Sequence, residues 1–259
     1  MDLGIAGRRA LLTASSRGLG KACALALAAE GVDVVINGRD EETLAVTADQ
    51  VRRLHGVDVV AVAADINTEA GREALLEACP GPDILVNNNW GPPPGPWESF
   101  DHDDWLDAVE ANMLAPIMMI RAVVGGMKQR SFGRIVNITS QMVKSPFAVM
   151  GLSAAARTGL TAASKALSRE VAPHNVTINN ILPERIDTER QVFMARSRAE
   201  SAGITYEEAR EEIVESIAAK RMGRPEELGA ACAFLCSAHA GYISGQNLQL
   251  DGGSYRGTF

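Results

Sequence analysis

The stretch Arg9-Ala-Leu-Leu-Thr13-Ala14-Ser15-Ser16-Arg17-Gly18-Leu19-Gly20 decides how this chain is to be read. Arg9 to Thr13 reads as a short strand with an apolar centre, and helical periodicity from Gly20 to Glu30 follows after only a tight turn. Glycines at such a turn let backbone approach a pyrophosphate, and the helix terminus behind them supplies unpaired N–H groups and a positive dipole end. A lone G-x-G is weak. Its setting, with a strand before, a helix after and a second strand at Asp33 to Asn37, raises it well above chance.

Outward from this unit the alternation repeats. Asp58 to Val62, Asp83 to Asn87, Arg134 to Thr139 and Val176 to Leu182 are further strands, too continuously apolar to leave one face wet. Glu41 to Leu54, Thr68 to Ala78, Asp103 to Gln129 and Gly151 to Ala172 carry helical periodicity between them, and Gln246 to Asp251 reads as a last edge strand. Strand–helix alternation gives a parallel sheet, because each crossover packs back on the sheet with one hand. The expected fold class is therefore α/β: one doubly wound (Rossmann) domain over residues 1–259, with about seven parallel strands and helices on both faces. No linker, repeat or low-complexity tract divides it.

The chain has 259 residues, 25 Lys and Arg against 32 Asp and Glu, and a net charge of −7. That balance provides no basic stripe, so nucleic acid is not an expected partner. Mean hydropathy is −0.01, and no apolar run near the ~20 residues of a membrane span is apparent. The first residues, Met1 to Ala6, lack the charged and apolar regions of a secretory signal, which points to a cytoplasmic address. Cys23, Cys79, Cys232 and Cys236 are too few and scattered for a disulfide framework, and neither they nor the four histidines show metal spacing, so no metal is expected.

Two peripheral segments stand out. Gly91 to Pro96, a Gly-Pro-Pro-Pro-Gly-Pro run, must be an extended turn because each proline fixes φ and removes a donor. Thr188 to Ala219 is charged, with Ala209, Ile213 and Ile217 on one helical face; a lid over a ligand crevice and a helix covering the sheet edge are both open readings.

The second strand ends in Gly38-Arg39, nineteen residues past Gly20, where a ribose-binding acid would otherwise sit. Arg39, with Arg17 from the turn, favours a 2′-phosphate and hence NADP(H) as cofactor; Asp40 keeps NAD open.

These residues resemble the short-chain dehydrogenase/reductase family, most closely its β-ketoacyl-acyl-carrier-protein reductase branch, over nearly the whole chain. Thr13 to Gly20 looks like the family's T-G-x-x-x-G-x-G, with Ala14 for the first glycine. The resemblance implies that Thr13, Ser15, Ser16, Arg17, Gly18, Leu19 and Gly20 form the cofactor turn, that Asp65 and Ile66 meet the adenine, and that Asn88 belongs to the N-N-A-G loop. It implies that Pro183, Ile186 and Thr188 flank the nicotinamide, in Pro183-Glu184-Arg185-Ile186-Asp187-Thr188. Asp251-Gly252-Gly253 resembles the family's closing D-G-G.

The same resemblance implies a tetrad of Asn, Ser, Tyr and Lys. Asn112 matches the first and Ser140 the second. Thirteen residues past Ser140 the tyrosine falls on Ser153, and four further the lysine falls on Arg157, which the resemblance also places against the cofactor. Thr161-Ala-Ala-Ser-Lys165 imitates the motif, but a gap-free alignment from Arg157 to Pro183 leaves Lys165 two turns late, as a surface residue. Ketone reduction needs a proton donor at the developing alkoxide, and a phenol of pKa ~10 serves. A serine hydroxyl is far less acidic, and arginine, above ~12, does not exchange its proton. Asn89 and Trp90 replace small residues near the expected nicotinamide ribose, and Glu184 replaces a glycine.

Three functions follow as expectations. One is an NADP(H)-dependent reductase or dehydrogenase acting on a small-molecule carbonyl or hydroxyl substrate with a relocated proton donor, drawn from Lys144 or Glu184. Ser140 and Ser153 would bind a substrate oxygen and a water, Asn112 the proton-conducting water, and Arg157 either the ribose hydroxyls or a substrate carboxylate. A second is a non-redox hydrolase, lyase or isomerase in the same crevice, with Glu184 as acid–base group. A third is a catalytically silent nucleotide-binding paralogue. In the family, the helices at 103–129 and 151–172 build an interface, so a homodimer or homotetramer is expected.

Overall fold

A computed structural model of the chain describes residues 1–258; Phe259, the last residue of the expected 1–259 unit, lies outside the described residues. Seven parallel strands form one sheet in the order β3-β2-β1-β4-β5-β6-β7. They are β1 (Arg9–Leu12), β2 (Asp33–Gly38), β3 (Val59–Ala63), β4 (Ile84–Asn87), β5 (Gly133–Ile138), β6 (Val176–Pro183) and β7 (Asn247–Leu250). The seven expected strands are all there, each within one or two residues at its ends.

The inner strands are buried on both faces, which is why they lack alternation, whereas the edge strands β3 and β7 are exposed or half-buried along most of their length. Leu11 pairs with Val35 and Leu85 and points to one layer with Ile135 and Ile178, while Ala10 and Leu12 point to the other with Ile36, Val86 and Val136. The first layer is closed by α3 (Glu69–Ala78), α5 (Ala115–Gln129) and α6 (Gly151–Val171), through Leu75, Met119, Val123 and Leu160. The second is closed by α1 (Gly18–Ala29), α2 (Glu41–His55) and α9 (Pro225–Cys236), through Leu27, Leu44, Val51 and Leu228. The chain runs outward from β1 to β3, returns to β4 beside β1, and runs outward again to β7. The carboxyl ends of β1 and β4 therefore diverge at a switch point, where such sheets open a crevice.

Three sequence expectations are corrected. The stretch 103–129 is not one helix: α4 (His102–Val109) passes through a π turn at Glu110–Leu114 into α5. Pro116 lacks the N–H that would bond the Asn112 carbonyl, so the ladder widens there, and Asn112 lies within the turn. The combined stretch His102–Gln129 is also long and apolar enough to cross a membrane by length and composition, contrary to the reading that no such run exists. Met119, Ile120, Val123 and Met127 place its apolar side in the core beneath the sheet. Finally, the 188–219 segment is two helices, α7 (Glu189–Ala202) and α8 (Tyr206–Ser216), broken where Gly203 takes a left-handed φ of 67°. Ala195, Ala209, Ile213, Ile217 and Met222 form a small core between them.

Candidate active site

The turn after β1 is held by its own side chains. Thr13 Oγ1 donates to the Asn88 carbonyl (2.7 Å) and accepts from the Asn88 N–H (2.9 Å), while Asn88 Nδ2 donates to the Ala14 carbonyl (2.9 Å). Ser15 Oγ donates to the Leu12 carbonyl (2.9 Å) and accepts from the Asn37 N–H (2.9 Å). Thr13 and Ser15 are thus buried pins between strand ends and do not line the crevice. Ala14 adopts φ 43°, a left-handed conformation that costs on the order of 1 kcal/mol for a non-glycine residue.

Gly20 has no room for a side chain: a Cβ there would clash with the Ala14 carbonyl oxygen and sit 2.7 Å from Ser15 Cα. α1 has no side-chain cap at Arg17, so its first N–H groups remain available to an anion. Ser16, Arg17, Gly18 and Leu19 line a crevice of about 600 Å³, with Arg39, Asp65, Ile66 and Asn88. These features suit a pyrophosphate and a further phosphate beside Arg17 and Arg39. Arg39 has no ion-pair partner among the described residues, while Arg17 reaches Glu189 at 3.1 Å, both side chains being exposed. Asp40 accepts from the Thr43 N–H (2.8 Å) as cap of α2, and the Thr43 contacts hold its carboxyl below the usual range. That capping role weakens the NAD alternative.

The far end of the same crevice is lined by Ser140, Arg157, Pro183, Glu184, Ile186, Thr188 and Trp90. Ser140 Oγ accepts from the Met142 N–H at 3.2 Å and starts a short 3-10 turn after β5. Arg157, on α6, donates from Nη1 to Ser153 Oγ one turn before it. Ser153 is 1% exposed and off the crevice lining, so its hydroxyl supports Arg157 from behind. Burial, reinforced by the nearby charge of Arg190, pushes Arg157 down to about 10, which leaves it charged at neutral pH.

Asn112 Nδ2 donates weakly to the Trp90 carbonyl (3.4 Å). Asn112, Asn87, Asn88 and Arg157 border a small adjoining chamber of about 10 Å³, roughly the size of one water. The Asn87 Oδ1 atom is buried without a protein partner. Burial raises the Glu184 carboxyl above its ordinary value; Arg185, with Nε 3.9 Å away, pulls the other way, and Asp251 adds to the rise.

Lys144 does not serve the crevice. Its Nζ donates to Gln249 Oε1 (3.3 Å) and lies 5.3 Å from the Tyr255 ring centroid, which removes it as a proton source. Lys165 is exposed and donates to the Gly245 carbonyl (3.0 Å), as expected of a surface residue. The chain has three tyrosines, and none lines the crevice: Tyr242 is fully exposed, Tyr206 packs with the α7–α8 core and Tyr255 lies by Lys144.

Sequence reasoning missed Arg190, Gln191 and Met194 of α7, and Phe147, Val149 and Met150, all on the crevice wall. Arg190 Nη2 donates to the Pro92 carbonyl (2.8 Å), and the guanidinium lies over Trp90 at 5.2 Å and Phe193 at 5.4 Å. The available signal was the position of Arg190 two residues after Thr188.

Residues 13–255 match the family described as enoyl-(acyl carrier protein) reductase. The chain belongs to this family of short-chain dehydrogenases/reductases. It is 33% identical over 254 residues to the NADPH-dependent reductase BacG of Bacillus subtilis, covering 96% of this chain and 98% of that one. It is 31% identical over 257 residues to the 3-oxoacyl-[acyl-carrier-protein] reductase FabG of Vibrio cholerae, covering 98% and 99%. The crystal structure of L-sorbose reductase from Gluconobacter frateurii, complexed with NADPH and L-sorbose, superposes with a TM-score of 0.93 at 30% identity, covering 99% of this chain and all of that one.

Proposed function

We propose that this protein is an NADP(H)-dependent oxidoreductase of the short-chain type, acting on a carbonyl or hydroxyl substrate with a non-standard proton donor. The observation that carries the reading is one continuous crevice, with uncapped helix N–H groups, Arg17 and Arg39 at one end and Ser140, Arg157 and Glu184 at the other. NADP-bearing and NADPH-dependent relatives support the cofactor. In this reading Thr13, Ser15 and Gly20 shape the turn, and Ser16, Arg17, Gly18, Leu19 and Arg39 hold the phosphates. Asp65, Ile66 and Asn88 border the adenosine half, and Pro183, Ile186 and Thr188 hold the nicotinamide half.

When bound, NADPH supplies a hydride. The chain's own groups then divide the remaining work. Ser140 Oγ donates a hydrogen bond to the substrate oxygen, and Arg157, kept in place by Ser153 and charged at neutral pH, stabilises negative charge there. The Glu184 carboxyl, which burial biases toward its protonated form, holds the proton the oxygen receives. Asn112 orients a water in the small chamber behind Arg157. Support for a displaced donor is that no tyrosine lines the crevice.

The proposal extends to residues 1–259 as one Rossmann-type unit, with 188–219 as its lid, working in the cytoplasm as a homodimer or homotetramer. Its support for assembly is the exposed apolar surface at Trp97 and Leu106, and light scattering tests it. The test of the whole reading is titration with NADPH and NADH by fluorescence or calorimetry. Tighter binding of NADPH is expected, and no signal at millimolar cofactor overturns it.

A further inference from the structure

Arg157 and Arg190 bring two guanidinium groups to the substrate end of the crevice. Neither meets a carboxylate: among the described residues, Arg157 donates only to Ser153, and Arg190 only to the Pro92 carbonyl. The other crevice arginines differ. Arg17 faces Glu189 at 3.1 Å, Arg185 has Glu184 at 3.9 Å, and Arg39 lies at the opposite end. A desolvated guanidinium without a counter-ion is costly, so a fold that keeps one leaves it to be matched by a ligand.

The Arg157 fork is also fixed in place. It is tethered by Ser153, and a Cβ built on Gly91 would come within 3.1 Å of both Nη1 and Nη2, so the group lies flat against bare backbone. The remaining wall is largely apolar, from Phe147, Val149, Met150 and Met194. We propose that Arg157, with Arg190 behind it, forms an anion subsite that receives a carboxylate carried by the carbonyl substrate, whose apolar body lies against Met150 and Met194. A planar fork suits a carboxylate better than the point charge of a lysine would. This proposal rests on the reductase reading above, because it takes the crevice to be the substrate site.

The experiment is calorimetric binding of 2-oxooctanoate and of its methyl ester to the NADP-loaded protein, with the NADPH dissociation constant measured separately. The wild type is expected to bind the acid at least about ten-fold tighter than the ester, the scale of one charge-assisted pair. Arg157→Met is expected to abolish that preference and Arg190→Met to reduce it, with NADPH affinity changed less than about three-fold. Gly91→Ala, which displaces the fork without removing it, is expected to weaken acid binding and guards against misfolding of the Arg157 variant. Equal affinity for acid and ester overturns the subsite. So does an Arg157→Met protein that loses NADPH affinity ten-fold while keeping its acid preference, which would assign the group to the cofactor. If the wild type binds no NADPH, the reductase reading fails, and the same acid and ester comparison on the cofactor-free protein still decides the subsite.

Discussion

The Arg157 guanidinium donates to the Ser153 hydroxyl across one turn of α6, so the two residues act as a unit in which serine fixes the direction of the charge. In the proposed reading this pair stands where the family resemblance implies a tyrosine and a lysine. Ser153→Tyr with Arg157→Lys would convert a charge clamp into a proton relay. The double variant is expected to gain about 10²–10⁴-fold in ketone reduction, followed as NADPH consumption, with neither single change sufficient. A parent enzyme already as fast as the double variant would show that proton transfer was never limiting.

Glu184 gives a pH signature. Its folded carboxyl binds a proton more tightly than in the unfolded chain, chiefly through burial. Between its ordinary value and the raised one the native state holds more protons, so stability falls as pH rises through that window. Glu184→Gln is expected to remove this slope from melting curves taken across the acid range. If the carboxyl is the donor, wild-type turnover also declines as pH rises through the raised value, and the glutamine variant loses about 10²–10⁴-fold. A variant that flattens the melting profile while keeping full turnover would leave Glu184 structural.

The sheet was legible because burial on both faces writes its inner strands as apolar runs, as in β1 and β4, while the edge strand β7, Asn247-Leu-Gln-Leu250, alternates and is only half-buried. The break at Asn112 was not, since a π turn shifts the helical pattern by a single residue and Pro116 is its only local cue. α9 also went undelimited, although Pro225 followed by Glu226 and Glu227 is a helix-start pattern. The dinucleotide turn could be read because glycines and flanking elements are adjacent in the chain. The Arg190 contacts to Trp90 and Pro92 join residues about a hundred apart, and no periodicity encodes such a meeting.

Cofactor choice is tested at Arg39. Its side chain lines the crevice and has no competing carboxylate among the described residues, whereas Arg17 is shared with Glu189. Arg39→Ala is expected to weaken NADPH binding about ten-fold or more and leave NADH almost unchanged, because only one of them carries the 2′-phosphate. Equal loss for both would place Arg39 elsewhere.

Gly20 joins fold to function most directly. It sits inside α1, where alanine would ordinarily favour helix. Here a Cβ meets the Ala14 carbonyl and Ser15 Cα, the backbone of the turn that should cradle phosphate. Gly20→Ala must therefore move either α1 or the turn, and Ala14, already at φ 43°, has little freedom left. The expected result is a loss of about 1–3 kcal/mol in denaturant unfolding, with NADPH affinity falling further than stability alone explains, because the uncapped N–H groups shift away from the phosphate. Gly203→Ala, at a left-handed position with open space around it, makes the contrast: it is expected to cost stability with no change in cofactor affinity. If both variants lower affinity alike, the turn after β1 is not where the phosphates are held.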